Sequence, residues 1–146
     1  MFSFQDLFIK SIGKPVDYNG KTIQMVDKFP VNHKSEFKVV FEDCKNDWKQ
    51  GISLSTAGTF IINGQKIKNS VVLWQHTAPN ELDFIVESKS RELLIKNVWD
   101  IGDGVIHSWH GGGAMIVEEL NNGRRYRCND GRQNDDFDDL VFRIEK

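Results

Sequence analysis

Apolar and polar residues alternate along most of this chain in short segments that turn residues separate. The clearest alternation covers residues 36–42, where Phe37, Val39 and Phe41 occupy every second position. A period of two predicts a strand with one face on a core. The same pattern predicts strands at 51–55, 58–62, 65–75, 81–87, 92–99, 105–109, 114–120, 124–128 and 137–145.

The turn residues indicate how these strands connect. Asn19-Gly20 and Asn63-Gly64 are dipeptides typical of two-residue hairpin turns, and strand-like residues flank both. Turn signals recur about every 8–12 residues, which favours antiparallel pairing over βαβ units. The fold class predicted is therefore mostly β, a single-domain antiparallel sandwich or jelly-roll over residues 1–146.

One short helix is predicted at the N-terminus. Ser3 can cap it, and Asp6 stands at the capping-box position. Four apolar residues would share one face, and two residues after them end the helix. The apolar residues are Phe4, Leu7, Phe8 and Ile12, and the terminating residues are Gly13 and Pro15. A short strand is the alternative for so brief a segment.

Length and charge narrow the classes of protein to consider. The 146 residues are enough for one domain with a real core, and 39% apolar content describes an ordinary globule. A net charge of −2 and the absence of a long basic cluster argue against nucleic acid. Without an apolar run of about 18 residues or a basic, apolar leader, we expect a soluble, cytoplasmic protein with no membrane partner. Two cysteines, Cys44 and Cys128, are expected to be reduced, although one bridge between them is possible.

No catalytic set is complete in the sequence. Residues 110–113 read His-Gly-Gly-Gly, as in the oxyanion loop of some esterases, but no Gly-x-Ser-x-Gly elbow accompanies them. His107 and His110 lack the further nitrogen or sulfur ligands that zinc requires. We therefore expect a protein that is not an enzyme.

The chemistry in the sequence is concentrated in residues 129–139, here named the acidic loop. It contains five aspartates and one arginine, a net charge of −4, directly ahead of the last predicted strand. Like charges at this density repel, and a divalent cation would relieve the repulsion. Calcium takes 6–8 oxygens from Asp, Asn and backbone carbonyls. The alternatives are a solvated acidic turn and a purely structural loop that ties the last strand to the sheet.

The acidic loop also resembles a known calcium motif. Asn129-Asp130-Gly131, the run from Asn134 to Asp139 and the apolar strand after it are similar to the closing segment of calcium-mediated bacterial lectins that bind fucose and mannose. The resemblance covers about sixteen residues and implies a β-sandwich that holds Ca²⁺. By position it places the metal ligands at Asn129, Asn134, Asp136, Asp138 and Asp139, with Asp130 and Asp135 beside them.

Two functions follow as expectations. The first is a non-catalytic, calcium-dependent binding module, possibly lectin-like, in which an aromatic ring stacks on a carbohydrate. The predicted ligand-binding residues are Trp99, Trp109 and His110, because they flank turn-rich segments where rings can lie partly open. The second is a small intracellular protein of the immunity or adaptor type. Its acidic loop would meet a basic partner surface or serve the fold alone.

Overall fold

The structure, a computed structural model, describes residues 4–45, 48–108, 113–132 and 136–146. Of these residues 63% lie in strands and 5% in one helix, α1 (Phe4–Lys10). The eleven described strands are β1 (Val16–Tyr18), β2 (Lys21–Gln24), β3 (Asp27–Pro30), β4 (Lys34–Cys44), β5 (Lys49–Ile62), β6 (Gln65–Trp74), β7 (Glu81–Ser88), β8 (Glu92–Asp100), β9 (Ala114–Leu120), β10 (Gly123–Asn129) and β11 (Leu140–Glu145). The predicted mostly-β class with a short N-terminal helix is confirmed.

All described strands belong to one curled antiparallel sheet. Their order is β1-β2-β9-β10-β11-β4-β7-β5-β8-β3, and β6 pairs with β5 outside this path. The last strand, β11, lies inside the sheet between β10 and β4. Pairing between strands distant in sequence therefore holds the sheet together.

The sheet turns a corner along β5. Residues 49–55 of β5 pair with β8, whereas residues 58–61 pair with β7. Gly58 stands where β5 crosses β7, and a Cβ atom there would lie 1.8 Å from the backbone oxygen of Glu87. At the corner, where β5 changes its pairing partner, two buried hydroxyls are hydrogen-bonded to each other. Thr56 Oγ1 lies 2.7 Å from Ser88 Oγ. Only glycine fits this crossing.

The curled sheet has a core on each side. The larger contains Phe37, Phe60 and Phe142 among its buried residues and fills the curl. The smaller joins α1 to the sheet through Phe4 and Phe8, which pack with Ile23 and Phe137. Phe137 belongs to the acidic loop, so that loop is built into the second core.

The helix prediction needs one correction. Phe4 and Phe8 are buried as expected, but Ile12 is exposed. The helix ends at Lys10, and Ile12 follows it with a φ of 57°, so its side chain leaves the apolar face. Ser3, the predicted cap, lies outside the described residues. The described residues contain no helix with the length and apolar character that a membrane span requires.

The predicted strands differ from the observed ones in several places. Segments 51–55 and 58–62 are one strand, β5, because the corner bends the strand without ending it. The segment 105–109 is not a strand over its described residues, where His107 alone forms a bridge to Trp99. Strand β3 was not predicted, since its four residues include Asp27, Lys28 and Pro30. Both Asn-Gly hairpins are confirmed, with left-handed φ angles at Asn19 and Asn63.

Candidate functional site

The acidic loop connects β10 to β11 at the end of the sheet where β9 begins. Asn129 pairs with Ala114 at the start of β9, and Leu140 pairs with Cys128. The N–H of Asp139 donates to the Cys128 carbonyl at 3.1 Å, which closes the base of the loop. The described part of the loop is therefore anchored at both ends on neighbouring strands.

Two of the predicted metal ligands, Asp130 and Asp139, face inward and are buried. The backbone N–H of Asp130 donates to Asp139 Oδ2 at 3.0 Å. Asp130 Oδ2 accepts from Gln50 Nε2 at 2.9 Å, and Asp130 Oδ1 accepts from the Arg132 N–H at 3.0 Å. These carboxylates hold the loop to β5 and to itself.

Asn129, a third predicted ligand, is also buried and structural. Its Oδ1 accepts from the Phe137 N–H at 2.6 Å, and its carbonyl accepts from Asn97 Nδ2 at 2.7 Å. Phe137 has a φ of 53°, an unusual conformation for a bulky residue, and its ring lies 5.5 Å from that of Phe4. The loop thereby joins β8, β10 and α1.

Burial has an electrostatic consequence at Asp139. It raises the pKa of this carboxyl to about 6, and the charges of Asp130 and Asp138 act in the same direction. The hydrogen bond from the Asp130 N–H opposes the shift. The ionised form of Asp139 is therefore costly, and a nearby cation would favour it.

The outward carboxylates of the loop already have a cation beside them. Lys45 Nζ lies 2.9 Å from Asp138 Oδ1 and 3.9 Å from Asp136 Oδ2. Arg132 packs over the ring of Trp48, with its guanidinium carbon 4.3 Å from the ring centroid. Lys45 and Arg132 thus offset part of the negative charge of the loop.

The structure describes five of the seven residues that were predicted to bind a metal. Asn134 and Asp135 lie outside the described residues, and the inward and outward carboxylates face different partners. Within the described ranges, no three His, Cys, Asp or Glu side chains form a group that could hold a metal ion.

The predicted stacking role of Trp99 needs correction. Trp99 is only 2% exposed, and a Cβ atom on Gly131 would lie 3.0 Å from the indole nitrogen. The absence of a side chain at Gly131 lets the acidic loop pack directly on this ring, so no face is offered to a ligand. Trp109 and His110 lie outside the described residues.

A feature missed from the sequence lies beside the acidic loop. Residues 100–106, here named the apolar loop, expose Ile101 (47%), Val105 (52%) and Ile106 (53%) to solvent. The sequence predicted a turn at residues 100–104 and a strand at 105–109, and neither prediction indicated a binding surface. The signal that could have revealed more is the occurrence of three aliphatic residues in a turn, where polar residues are usual.

Hydrogen bonds between side chains and the backbone hold the apolar loop in one conformation. Asp100 Oδ1 accepts from the N–H groups of Gly102 and Gly104, and Asp103 Oδ1 accepts from that of Val105. At its base, Trp99 and His107 exchange two backbone hydrogen bonds. Because Trp99 also contacts Gly131, the two loops adjoin at one end of the sheet.

The two cysteines are free thiols on separate strands. Both pair with Leu140, Cys44 on one side of β11 and Cys128 on the other. Two strand spacings put their Cα atoms roughly 10 Å apart, beyond the reach of a disulfide. Burial raises the pKa of Cys44 to about 11 and that of Cys128 well above its usual range. Neither thiol has the low pKa that a nucleophile needs.

Comparisons with known proteins leave the family open. No protein-family model matches the sequence, no curated protein is significantly similar to it, and no solved structure is significantly similar to the fold.

Proposed function

We propose that this protein is a non-catalytic binding protein. It binds a basic protein partner at the end of the sheet where the acidic loop and the apolar loop adjoin. The observation that carries the proposal is the braced apolar loop. Three half-exposed aliphatic side chains on a fixed backbone supply apolar contact area at little entropic cost on binding. Isolated apolar residues on a surface need no explanation, whereas three exposed aliphatic residues within one hydrogen-bonded loop favour an interface.

Charge supports the choice of a basic partner. Asp136 and Asp138 lie at the outer surface of the acidic loop, and Asp103 is exposed in the apolar loop. Carboxylates on two adjoining loops, one of which exposes apolar side chains, match the usual plan of an interface, in which polar groups steer the partner and set its orientation. The partner surface would carry Lys or Arg side chains around an apolar recess.

The experiment is a retention assay with matched surface variants. The unchanged protein should retain a binding partner from the proteins of its host. The triple variant Ile101→Ser, Val105→Ser, Ile106→Ser should not retain this partner. The control is Ile9→Ser with Ile12→Ser, which removes two exposed aliphatic residues from the helix region. The amount of retained partner should also fall as the salt concentration rises, and it should not change when EDTA is added. A partner that both variants retain equally, or the lack of any retained partner, contradicts the proposal.

A calcium-dependent, carbohydrate-binding module is the second candidate. Its support is that Asp136 and Asp138 both turn toward one cationic point, which the Lys45 ammonium occupies. In this candidate Ca²⁺ would take that point, and Trp109 and His110 would meet the carbohydrate.

Calcium titration of metal-free protein tests the second candidate. Lys45→Met should raise the affinity for Ca²⁺, because the competing ammonium is gone, and Asp138→Asn should lower it. An unchanged melting temperature at millimolar Ca²⁺ in all three proteins excludes the calcium site. Ligand retention that EDTA abolishes would favour this candidate over a charge-steered protein interface.

A further inference from the structure

A cavity of about 230 Å³ lies at the end of the sheet that carries the acidic loop and the apolar loop. Its lining comes from the end of β4, from the start of β5 with the residue before it, and from the turn after β6, and consists of Cys44, Trp48, Lys49, Gln50, Gln75 and His76. Lys49 pairs with Asp100, the first residue of the apolar loop, and Gln50 is hydrogen-bonded to Asp130 of the acidic loop. The cavity therefore adjoins the surface proposed for the partner.

Gln50, which lines the cavity, has a buried acceptor without a donor. The residue is 2% exposed, and its Nε2 donates to Asp130 Oδ2 at 2.9 Å and to the Trp48 carbonyl at 3.4 Å. These two acceptors beside the nitrogen fix the orientation of the amide. In the part of the chain that the structure describes, no group donates to Gln50 Oε1. A buried oxygen without a donor destabilises the fold, so a ligand that supplies an N–H or O–H would relieve this cost.

Backbone hydrogen bonds hold the walls of the cavity. The Gln75 N–H donates to the Gln50 carbonyl at 2.9 Å. In the turn that follows β6, the Trp74 carbonyl accepts from the N–H groups of Thr77 and Ala78 at 3.1 Å and 2.8 Å. A recess with fixed walls loses little conformational entropy when it is filled.

Size and charge restrict what the cavity can hold. Pockets for drug-sized ligands measure about 300–1,000 Å³, so a volume of about 230 Å³ suits a single side chain. Trp48 and His76 contribute aromatic groups to the lining, which favour a ring. Lys49 lines the cavity and Arg132 packs over Trp48, so a cation would meet like charge. An ionised carboxylate has no hydrogen to donate to Gln50.

We propose that this cavity receives a tyrosine side chain of the protein partner, whose phenolic O–H donates to Gln50 Oε1. The inference rests on the proposed function, since it names the residue that the partner inserts at the same surface. A phenol carries one donor on an aromatic ring, and tyrosine is enriched among the residues that anchor interfaces in pockets. The acidic loop then contacts the basic groups around this anchor.

Two small molecules test the cavity without a partner. 4-Methylphenol is the tyrosine side chain without its backbone, and toluene is the same ring without the hydroxyl. Because Cys44 lines the cavity, a bound ring should cover its thiol and slow its alkylation. 4-Methylphenol should protect Cys44 at concentrations roughly tenfold lower than toluene, since only the phenol satisfies Gln50. Cys128 is fully buried and does not interfere in the folded protein.

Gln50→Met removes the acceptor and should abolish the preference for 4-methylphenol over toluene. Gln24→Met is the matched control, because among the described residues it removes the other glutamine oxygen that is buried without a donor, on β2 outside the cavity. This control should keep the preference. If Gln50→Met fails to fold, the comparison of the two molecules on the unchanged protein still decides.

Three results overturn the inference: no protection of Cys44 by 4-methylphenol, equal protection by both molecules, or a preference that survives in Gln50→Met. The retention assay separates the inference from the proposed function. There, Gln50→Met should weaken retention of the partner, and Gln24→Met should not. A partner that the triple variant loses but Gln50→Met retains in full contradicts the tyrosine anchor alone. The absence of any retained partner contradicts the proposed function alone, because the two molecules test the cavity by themselves.

Discussion

The phenol of Tyr126 on β10 donates a 2.7 Å hydrogen bond to Asp27 Oδ2 on β3, across 99 positions of sequence. Arg124 Nη1 donates to the same oxygen at 2.9 Å. Strand β3 is last in the strand order and β10 is six places away from it, so these contacts tie two distant parts of the curled sheet together. Burial, with the charge of Asp27, raises the pKa of Tyr126, which therefore remains a neutral donor.

Tyr126→Phe should test this tie. The variant removes one donor from a buried carboxylate, and we expect the free energy of unfolding to fall by about 1–3 kcal/mol. Combining it with Asp27→Asn gives a double-mutant cycle, in which coupled residues lose less together than the sum of the single losses. Urea denaturation measures each value. Fully additive losses would show that the two residues do not act together.

Asp139→Ala should destabilise the fold whichever ligand the protein binds. Its carboxylate is 4% exposed and accepts the Asp130 N–H, so its loss leaves a buried donor unpaired. We expect a loss of about 1–3 kcal/mol by urea denaturation. Asp136→Ala is the control from the same loop, and at an exposed position it should stay within about 0.5 kcal/mol of the unchanged protein. Equal losses of stability in the two variants would mean that the hydrogen bond accepted by Asp139 contributes nothing to the fold.

The stability should depend on pH through Glu42. Arg125 donates to its carboxylate at 2.6 Å and Arg143 at 3.1 Å. The hydrogen bond from Arg125, with the charges of both arginines, holds the pKa of Glu42 below its ordinary value of 4.5. A depressed pKa means that the ion pairs stabilise the fold above about pH 4.5. This contribution is lost as the pH falls through the lower, folded-state pKa.

Glu42→Gln should therefore reduce the stability at neutral pH by about 0.5–1 kcal/mol and flatten its decline in acid. Chemical denaturation at pH values from neutral to below 4.5 provides the comparison. Glu81→Gln is the control, because this exposed carboxylate lies 3.8 Å from Lys38 in a loose pair. If the stability of Glu42→Gln declines in acid as steeply as that of the unchanged protein, the pH dependence comes from other groups.

Thiol titration should find two reduced cysteines in the unfolded chain. In the folded protein at pH 8, Cys44 should react slowly, because a pKa of about 11 leaves roughly one thiolate in a thousand molecules. Cys128 is fully buried and should react only on unfolding. Cys44→Ser separates the two rates. A disulfide between these residues in the native protein would contradict the strand order of β4, β11 and β10.

Gly58→Ala should be strongly destabilising, because the backbone of a neighbouring strand occupies the place of its new side chain. Its new methyl group would overlap the Glu87 carbonyl in the corner of the sheet, and the backbone of two strands would have to part. We expect a loss of more than about 3 kcal/mol or failure to fold. Gly20→Ala meets no atom within 4 Å and should cost only about 1 kcal/mol, from its positive φ. Similar thermal midpoints for the two variants would contradict the corner geometry.

Local chemistry made part of this structure predictable. The Asn-Gly hairpins depend on residues that accept a left-handed backbone, and the burial of Phe37 and Val39 follows their alternation. The corner in β5 depends on ladders with β7 and β8, which no local window contains. Trp99 is buried because Gly131, distant in sequence, admits its ring. The acidic loop was located correctly as a feature, but which carboxylates turn inward depends on Gln50 of β5 and on Lys45, which follows β4.

The placement of β11 inside the sheet affects how the protein is made. Because residues 140–145 fill the gap between β10 and β4, a nascent chain that has not yet produced them exposes the facing edges of both neighbours. Strands β4 and β10 then each lack one pairing partner until the ribosome has released this segment. We expect the sheet to be completed only after synthesis of residue 145, and shortened chains lacking β11 to depend on chaperones for solubility.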